Sequence, residues 1–283
     1  MKLLRHGPMG DERPGLLDDD GQVRDLSGIV ADIDGTTISP EGLRKLAAID
    51  PGSLPAVPAG TRLGCPVGKV GKFVAIGLNY SDHAAEANLP EPKEPIIFMK
   101  ATSCIVGPDD DVVIPRGSTR TDWEIELGIV IGSRASYVSK ASALDHVAGY
   151  TIVNDVSERE YQMERGGTWD KGKCCDTFGP IGPWLVTADE IADAQDLAMR
   201  LEVNGEARQT GTTAKMIFDV ATIVSYVTEF MTLLPGDVIC TGTPPGVGMG
   251  MRPQTFLKAD DVMTLSIAGL GRQRQQCVAW SAT

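Results

Sequence analysis

Short apolar runs, rather than long amphipathic ones, set the rhythm of this chain. Residues 73–77, 96–99, 112–114, 125–131, 150–153, 184–187, 199–203, 238–241 and 262–267 are rich in β-branched side chains and bounded by Gly, Pro or Asp, which predicts strands. Helical spacing is rarer, at 80–87, 142–146, 157–166, 189–193 and 217–231. The strands do not alternate regularly with long helices. That argues against a doubly wound or TIM-type sheet and predicts a mixed, mostly antiparallel, β-rich α/β domain of the α+β type. Ahead of it, 15–17 and 23–26 read as a hairpin around Asp18-Asp19-Asp20-Gly21, and 40–49 as a short helix with Glu41 in its first turn. Pro51, Pro55, Pro58 and Pro66 then exclude helix and central strand. A small N-terminal α/β domain with its linker is expected over 1–66, and the larger domain over 67–283.

Composition narrows the partners. The 283 residues carry 26 Lys+Arg against 38 Asp+Glu, a net charge of −12. Nucleic-acid binding needs clustered cations, so it is not expected. A small anionic substrate is compatible, provided a metal or a local cation reverses the field at the site. No apolar window is long enough for a membrane helix, and the basic start at 1–10 has no apolar stretch behind it. A cytoplasmic protein is expected. Six cysteines form no CxxC pair, so free thiols are the default.

Candidate chemistry concentrates in Asp122-Trp123-Glu124-Ile125-Glu126-Leu127-Gly128. On a strand, Glu124 and Glu126 share one face, about 7 Å apart. Two poorly solvated carboxylates repel each other, and a hard divalent cation relieves both penalties; two solvated glutamates on an edge strand fit the spacing equally well. Asp155, where the 149–153 strand meets a helix start, adds a third carboxylate, unless it serves as a helix cap. His83 and Glu86 are i and i+3 on a short helix and can hydrogen-bond, as a water-activating base requires or as a surface pair would. Lys173 lies in a Gly- and Lys-rich segment before Cys174-Cys175, and Thr243 in a strand-to-turn segment rich in Gly and Pro. A substrate-holding loop and a mobile or rigid turn remain open for each.

Taken in order, Gly77-Leu78-Asn79-Tyr80 with His83 and Glu86, Phe98-Met99-Lys100, Asp122 to Gly128, Asn154-Asp155-Val156-Ser157-Glu158-Arg159, Lys173 with Asp176-Thr177-Phe178-Gly179-Pro180, Val203-Asn204-Gly205 and Thr241-Gly242-Thr243-Pro244 resemble the fumarylacetoacetate hydrolase family in its bacterial branch. The resemblance covers roughly residues 70–270. It implies a mixed β-roll catalytic fold, a homodimer, and Mg²⁺ or Mn²⁺ held by Glu124, Glu126 and Asp155. It implies a His83–Glu86 dyad on a lid helix, Lys173 rather than Lys171 as a catalytic contact, and Gln162 and Thr243 as substrate contacts. Phe98 and Lys100 are expected at the entrance. The substrate class would be a 2,4-dioxo acid, an acylpyruvate or a 2,4-diketo-3-deoxy sugar acid, cut at C3–C4 to pyruvate and a carboxylic acid. Oxaloacetate decarboxylation, hydroxymuconate-type isomerisation, a ureidoglycolate lyase activity and a silent binding protein are the alternatives. Cys174-Cys175 departs from the family pattern beside Lys173.

Overall fold

The computed structural model describes residues 1–86 and 90–282. Three sheets account for its strands. The largest, with eleven strands, runs in the order Val23–Asp25, Arg13–Leu17, Lys2–His6, Gly179–Thr187, Val147–Asn154, Ile125–Ile131, Val238–Cys240, Phe73–Gly77 and Ile96–Lys100, with Leu63–Gly64 and Ile105–Val106 paired off this path. A five-stranded sheet runs Glu206–Thr212, Ala198–Val203, Val262–Ile267, Gly271–Ala279, Val112–Ile114, and a two-stranded ribbon joins Thr121–Asp122 to Ser157–Glu158. Most pairs are antiparallel; Val238–Cys240 beside Phe73–Gly77 is parallel.

The expected β-rich architecture follows from the centre outward. Ile125–Ile131 has a hydrogen-bonded strand along each edge and is buried at all seven positions, so both of its faces are covered, and its sequence reads as a nearly unbroken apolar run. Its partner Val147–Asn154 is buried throughout as well. Their register sets Ile125 against Asn154 and Gly128 against Thr151. On the other side Gly128 faces Cys240.

Several boundaries move. The helix expected over 217–231 is Val220–Phe230, opened by Asp219, whose side chain accepts from the Thr222 amide. The one expected over 157–166 begins as strand Ser157–Glu158 and becomes helix only at Arg159–Glu164. The stretches 142–146 and 189–193 are 3₁₀ turns, Lys140–His146 and Ala188–Glu190. The helix expected over 80–87 is Ser81–Glu86, and residue 87 lies outside the described residues. The N-terminal hairpin and helix form at Arg13–Leu17, Val23–Asp25 and Pro40–Ala47. Lys2–His6, which has no strand signal beyond two leucines, carries this region into the large sheet by pairing with Gly179–Thr187.

Candidate active site

The strand register builds the floor of the site. With Ile125 opposite Asn154, Glu124 falls opposite Asp155, and the Asp155 amide donates to the Glu124 carbonyl at 2.9 Å. Glu126, two residues on, receives the Gly242 amide on Oε2 at 2.7 Å. That amide is aimed by a left-handed turn: Gly242 has φ +92°, and a Cβ there would meet the Asn79 Cβ at 2.8 Å. Asp155 is fully buried, and Glu124 and Glu126 are nearly so.

Three cations answer these carboxylates. Lys173 Nζ donates to Glu124 Oε2 and to Asp155 Oδ2, both at 2.6 Å. Lys100 Nζ stands 2.6 Å from Asp155 Oδ1, and Arg159 Nη2 stands 2.6 Å from Glu124 Oε1. Burial works against the Glu124 charge, but Lys173 and Arg159 more than offset it and hold its carboxyl down at about 2. Arg159 also pairs through Nε with the buried Asp122, which collects the amides of Gly248 and Met249. So four carboxylates (Asp122, Glu124, Glu126, Asp155) face three cations (Lys100, Arg159, Lys173). The carboxylate left without an ion pair among the described residues is Glu126. Burial, and then Asp155 and Glu124, push its carboxyl well above the usual range. Glu126 and Asp155 oxygens lie within 4.8 Å of one another. A hard divalent cation fits this donor set: it supplies the missing positive charge and takes oxygen ligands.

Above the floor is a cavity of about 320 Å³. The structure brings His83, Glu86, Phe98, Glu124, Glu126, Asp155, Gln162, Lys173 and Thr243 to its wall. His83 Nδ1 is 3.1 Å from Glu86 Oε2, and the Gly246 amide fixes Glu86 at 3.1 Å to Oε1. Phe98 stacks edge-on against Trp169, with ring centroids 5.3 Å apart, and Lys173 Nζ sits 5.2 Å from the Phe98 centroid. Gln162 accepts from Arg159 Nη1 at 3.0 Å through Oε1, so its amide nitrogen is left to donate.

Two expectations need correction. Lys100 is not at the entrance. It is 2% exposed beneath the floor, where it pairs with Asp155 and donates to the Val156 carbonyl and, at 2.5 Å, to that of Lys173. An ammonium so far from solvent is held there by its counter-charge, so Lys100 positions a carboxylate and does not greet a substrate. Thr243 does line the cavity, but its hydroxyl already donates to the Ile125 carbonyl at 2.8 Å and accepts from Gln209 Nε2 at 2.8 Å. Its proton is therefore not available to a substrate carboxylate. Cys174 and Cys175 are free thiols, as are the other four cysteines. Cys174 Sγ takes the Ala101 amide at 3.0 Å and so ties the Lys173 segment to the edge of strand Ile96–Lys100.

Sequence reasoning assigned no role to Asp122, Arg159 or Gln209. The first two lie within the motifs that carry the family resemblance, where a buried Asp-x-Glu-x-Glu run calls for as many cations and an arginine follows Glu158. Gln209 gave no signal, since the polar stretch around it does not read as a strand.

Among the described residues no helix is long and apolar enough to cross a membrane. The family model for the Fumarylacetoacetate (FAA) hydrolase C-terminal region matches residues 72–278. A protein from Burkholderia lata, provisionally named a hydrolase, is 59% identical over 97% of this chain and 98% of its own. The solved fumarylacetoacetate hydrolase from the psychrophile Exiguobacterium antarcticum superposes with a TM-score of 0.89 at 36% identity, over 99% of this chain and all of that one. Maleylpyruvate hydrolase from Sphingobium sp. SYK-6, solved in complex with manganese(II) and pyruvate, does so with 0.83 at 28% identity, over 99% and 100%. A 5-carboxymethyl-2-hydroxymuconate delta-isomerase from Mycobacterium smegmatis gives 0.79 at 32%, over the whole of both chains.

Proposed function

The chain belongs to the fumarylacetoacetate hydrolase family, and from that premise we propose that it is a divalent-metal-dependent hydrolase of 2,4-dioxo acids, releasing pyruvate and a carboxylic acid by cleavage between C3 and C4. The observation that carries this reading is the His83–Glu86 pair on the wall of the same cavity whose floor is the Glu124–Glu126–Asp155 cluster. A base beside a floor that can hold a divalent cation, and through it an anionic substrate, is what hydrolysis of a ketonic acid requires. The manganese- and pyruvate-bound maleylpyruvate hydrolase supports both the ion and the product.

Glu124, Glu126 and Asp155 would hold Mg²⁺ or Mn²⁺, which supplies Lewis-acid stabilisation of the negative charge that builds on the substrate oxygens. The protein's own groups do the rest. Glu86 faces His83 Nδ1, which leaves Nε2 to take a proton from water as it attacks the C4 carbonyl. Lys173 Nζ and the Gln162 amide nitrogen donate to the oxygen that becomes negative there; as that oxygen re-forms its carbonyl the C3–C4 bond breaks, and the proton taken by His83 Nε2 passes to C3 of the departing enolate, which gives pyruvate beside the carboxylic acid. Phe98 and Trp169 form an apolar wall that limits water beside the reacting carbon.

Isomerisation of a hydroxymuconate-type diacid is the second reading, favoured by the matched delta-isomerase. Release of pyruvate from an acylpyruvate, followed with and without EDTA, separates the two. Metal-dependent pyruvate release is expected. Turnover that survives EDTA removes the metal, and isomerisation without pyruvate removes the hydrolase.

A further inference from the structure

Cys240 sits at the edge of the metal-binding floor and takes no part in the chemistry above. It is fully buried on strand Val238–Cys240, and its Sγ makes no hydrogen bond with any described residue. Its position follows from register. Cys240 lies opposite Gly128. Residues 126 and 128 share a face of their strand, so the thiol and the Glu126 carboxylate are diagonal neighbours. Gly128 has no side chain to stand between them. The outcome is that Cys240 Sγ, a Glu126 oxygen and an Asp155 oxygen all lie within 4.8 Å of one another, close enough to share one ion. Glu124 lies outside that group, its oxygens paired with Arg159 and Lys173; the Asp155 oxygens are paired too, with Lys100 and Lys173, so among the described residues Glu126 is the carboxylate of the group without an ion pair.

We propose that Cys240 is a sulfur donor to the metal site, so that Glu126 and Asp155 serve two overlapping donor sets. With Glu124 they hold hard ions such as Mg²⁺ or Mn²⁺. With Cys240 they form a mixed oxygen–sulfur set that takes thiophilic ions, of which Zn²⁺, Co²⁺ and Cd²⁺ are the probes. Charge balance supports the second set. The floor's carboxylates exceed its cations by one, so a divalent ion leaves one positive charge uncompensated. An anionic substrate supplies the balance in the first case, and the Cys240 thiolate does so in the second. On binding, the S–H proton passes to solvent as the sulfur–metal bond forms. The thiolate then occupies the electrostatic role of the substrate, so a thiophilic ion acts as an inhibitor of the Mn²⁺-loaded enzyme. This inference rests on the metal site of the proposed function but not on its reaction.

The test is spectroscopic. Metal-stripped protein is titrated with Cd²⁺ and Co²⁺ and watched for the near-ultraviolet thiolate-to-metal charge-transfer band, in the natural chain and in Cys240→Ala, Cys240→Ser and Glu126→Gln. Mn²⁺ affinity is measured alongside. The band is expected in the natural chain and absent from all three variants; its loss in Glu126→Gln places it at this site rather than at Cys174 or Cys175. The ratio of Cd²⁺ to Mn²⁺ affinity is expected to fall by at least about tenfold in both Cys240 variants. A band of undiminished intensity in Cys240→Ala or Cys240→Ser, or an unchanged ratio, overturns the proposal. If the alanine variant fails to fold, the nearly isosteric serine decides the matter by the same two readouts. Pyruvate release from an acylpyruvate is assayed on the same Mn²⁺-loaded protein. A Cys240-dependent band without hydrolysis sinks the hydrolase reading and sustains this one, whereas hydrolysis without the band does the reverse.

Discussion

Each charged side chain in the floor has a partner whose loss it would feel, and the size of that loss ranks their roles. Asp155 has no solvent to fall back on, and Lys100 and Lys173 neutralise it from two sides. Lys100→Met keeps the volume but strands one side of a buried carboxylate. A loss of about 3–5 kcal/mol in unfolding free energy is expected by urea titration; a loss under about 1 kcal/mol would mean that Lys100 is not holding Asp155. His83 is a different case, because it stands at the cavity wall and holds up nothing beneath it. His83→Ala is expected to lower kcat about 10²- to 10⁴-fold while Mn²⁺ affinity stays the same. Equal turnover by that variant would take His83 out of the reaction. His6 offers a pH effect far from the cavity. Burial comes first among the causes that lower its pKa below the ordinary 6.5, and its Nε2 has no partner. The unfolded chain therefore takes up this proton before the folded one does. The stability owed to neutral His6 is present above about pH 6.5 and is lost as pH falls through the lowered value, with a slope of at most about 1.4 kcal/mol per pH unit. Comparing urea midpoints of the natural chain and His6→Gln over that window checks the sign. A steeper fall in the variant would refute it.

At the level of elements, what the sequence revealed depended on whether a strand's buried face is apolar. Ile125–Ile131 and Val262–Ile267 were readable because Ile, Val, Leu and Met fill their inward positions. Gly271–Ala279 was not, although it is nine residues long and strictly alternating. Its inward positions are Gln273, Gln275 and Cys277, all fully buried, with Arg272 and Arg274 outside. Glu206–Thr212 hid for the same reason behind Gln209. These amides replace apolar packing with stitching. Gln273 Nε2 donates to the carbonyls of Ile152 and Gly182, and Gln275 accepts from Asn154, the residue beside Asp155. Gln209 joins the Ile125 amide to Thr243 and to the Pro244 carbonyl, and so fixes the turn that carries Gly242 against the strand that carries Glu126. The carboxylates and the His–Glu pair were legible because their chemistry is local in sequence. The hydroxyl of Thr243 and the depth of Lys100 were not, because both depend on partners contributed by other strands. Gln209→Leu should cost about 1–3 kcal/mol, since it leaves the buried Ile125 amide without an acceptor, and should weaken Mn²⁺ binding as the two strands lose register. Unchanged stability by thermal melting would show that water or another group replaces the amide.

Across the whole molecule, the division at residue 66 becomes a question of cooperativity. Lys2–His6 lies between Arg13–Leu17 and Gly179–Thr187, with Lys2 and Leu3 in register with Val186 and Leu185. Leu3, Leu16, Leu26, Ile33, Ile38 and Leu46 belong to the same buried cluster as Ile125, Ile152 and Val238. Ion pairs cross as well: Arg62 reaches Asp110 at 2.6 Å while also holding Glu12. Unfolding the first 66 residues alone would leave Leu185 and Val186 of Gly179–Thr187 without their partners on one side, in a strand whose other side pairs with Val147–Asn154, and would open the apolar surface packed there. The cost of that partial opening is shared with the catalytic part, so the two regions should melt together. Differential scanning calorimetry is expected to give one transition, with calorimetric and van't Hoff enthalpies equal, and added Mn²⁺ should raise its midpoint as a whole although the ion binds far from the first strand. Two transitions, only the upper one moved by Mn²⁺, would establish residues 1–66 as an independent folding unit and confine the carboxylate site's stability to residues 67–283.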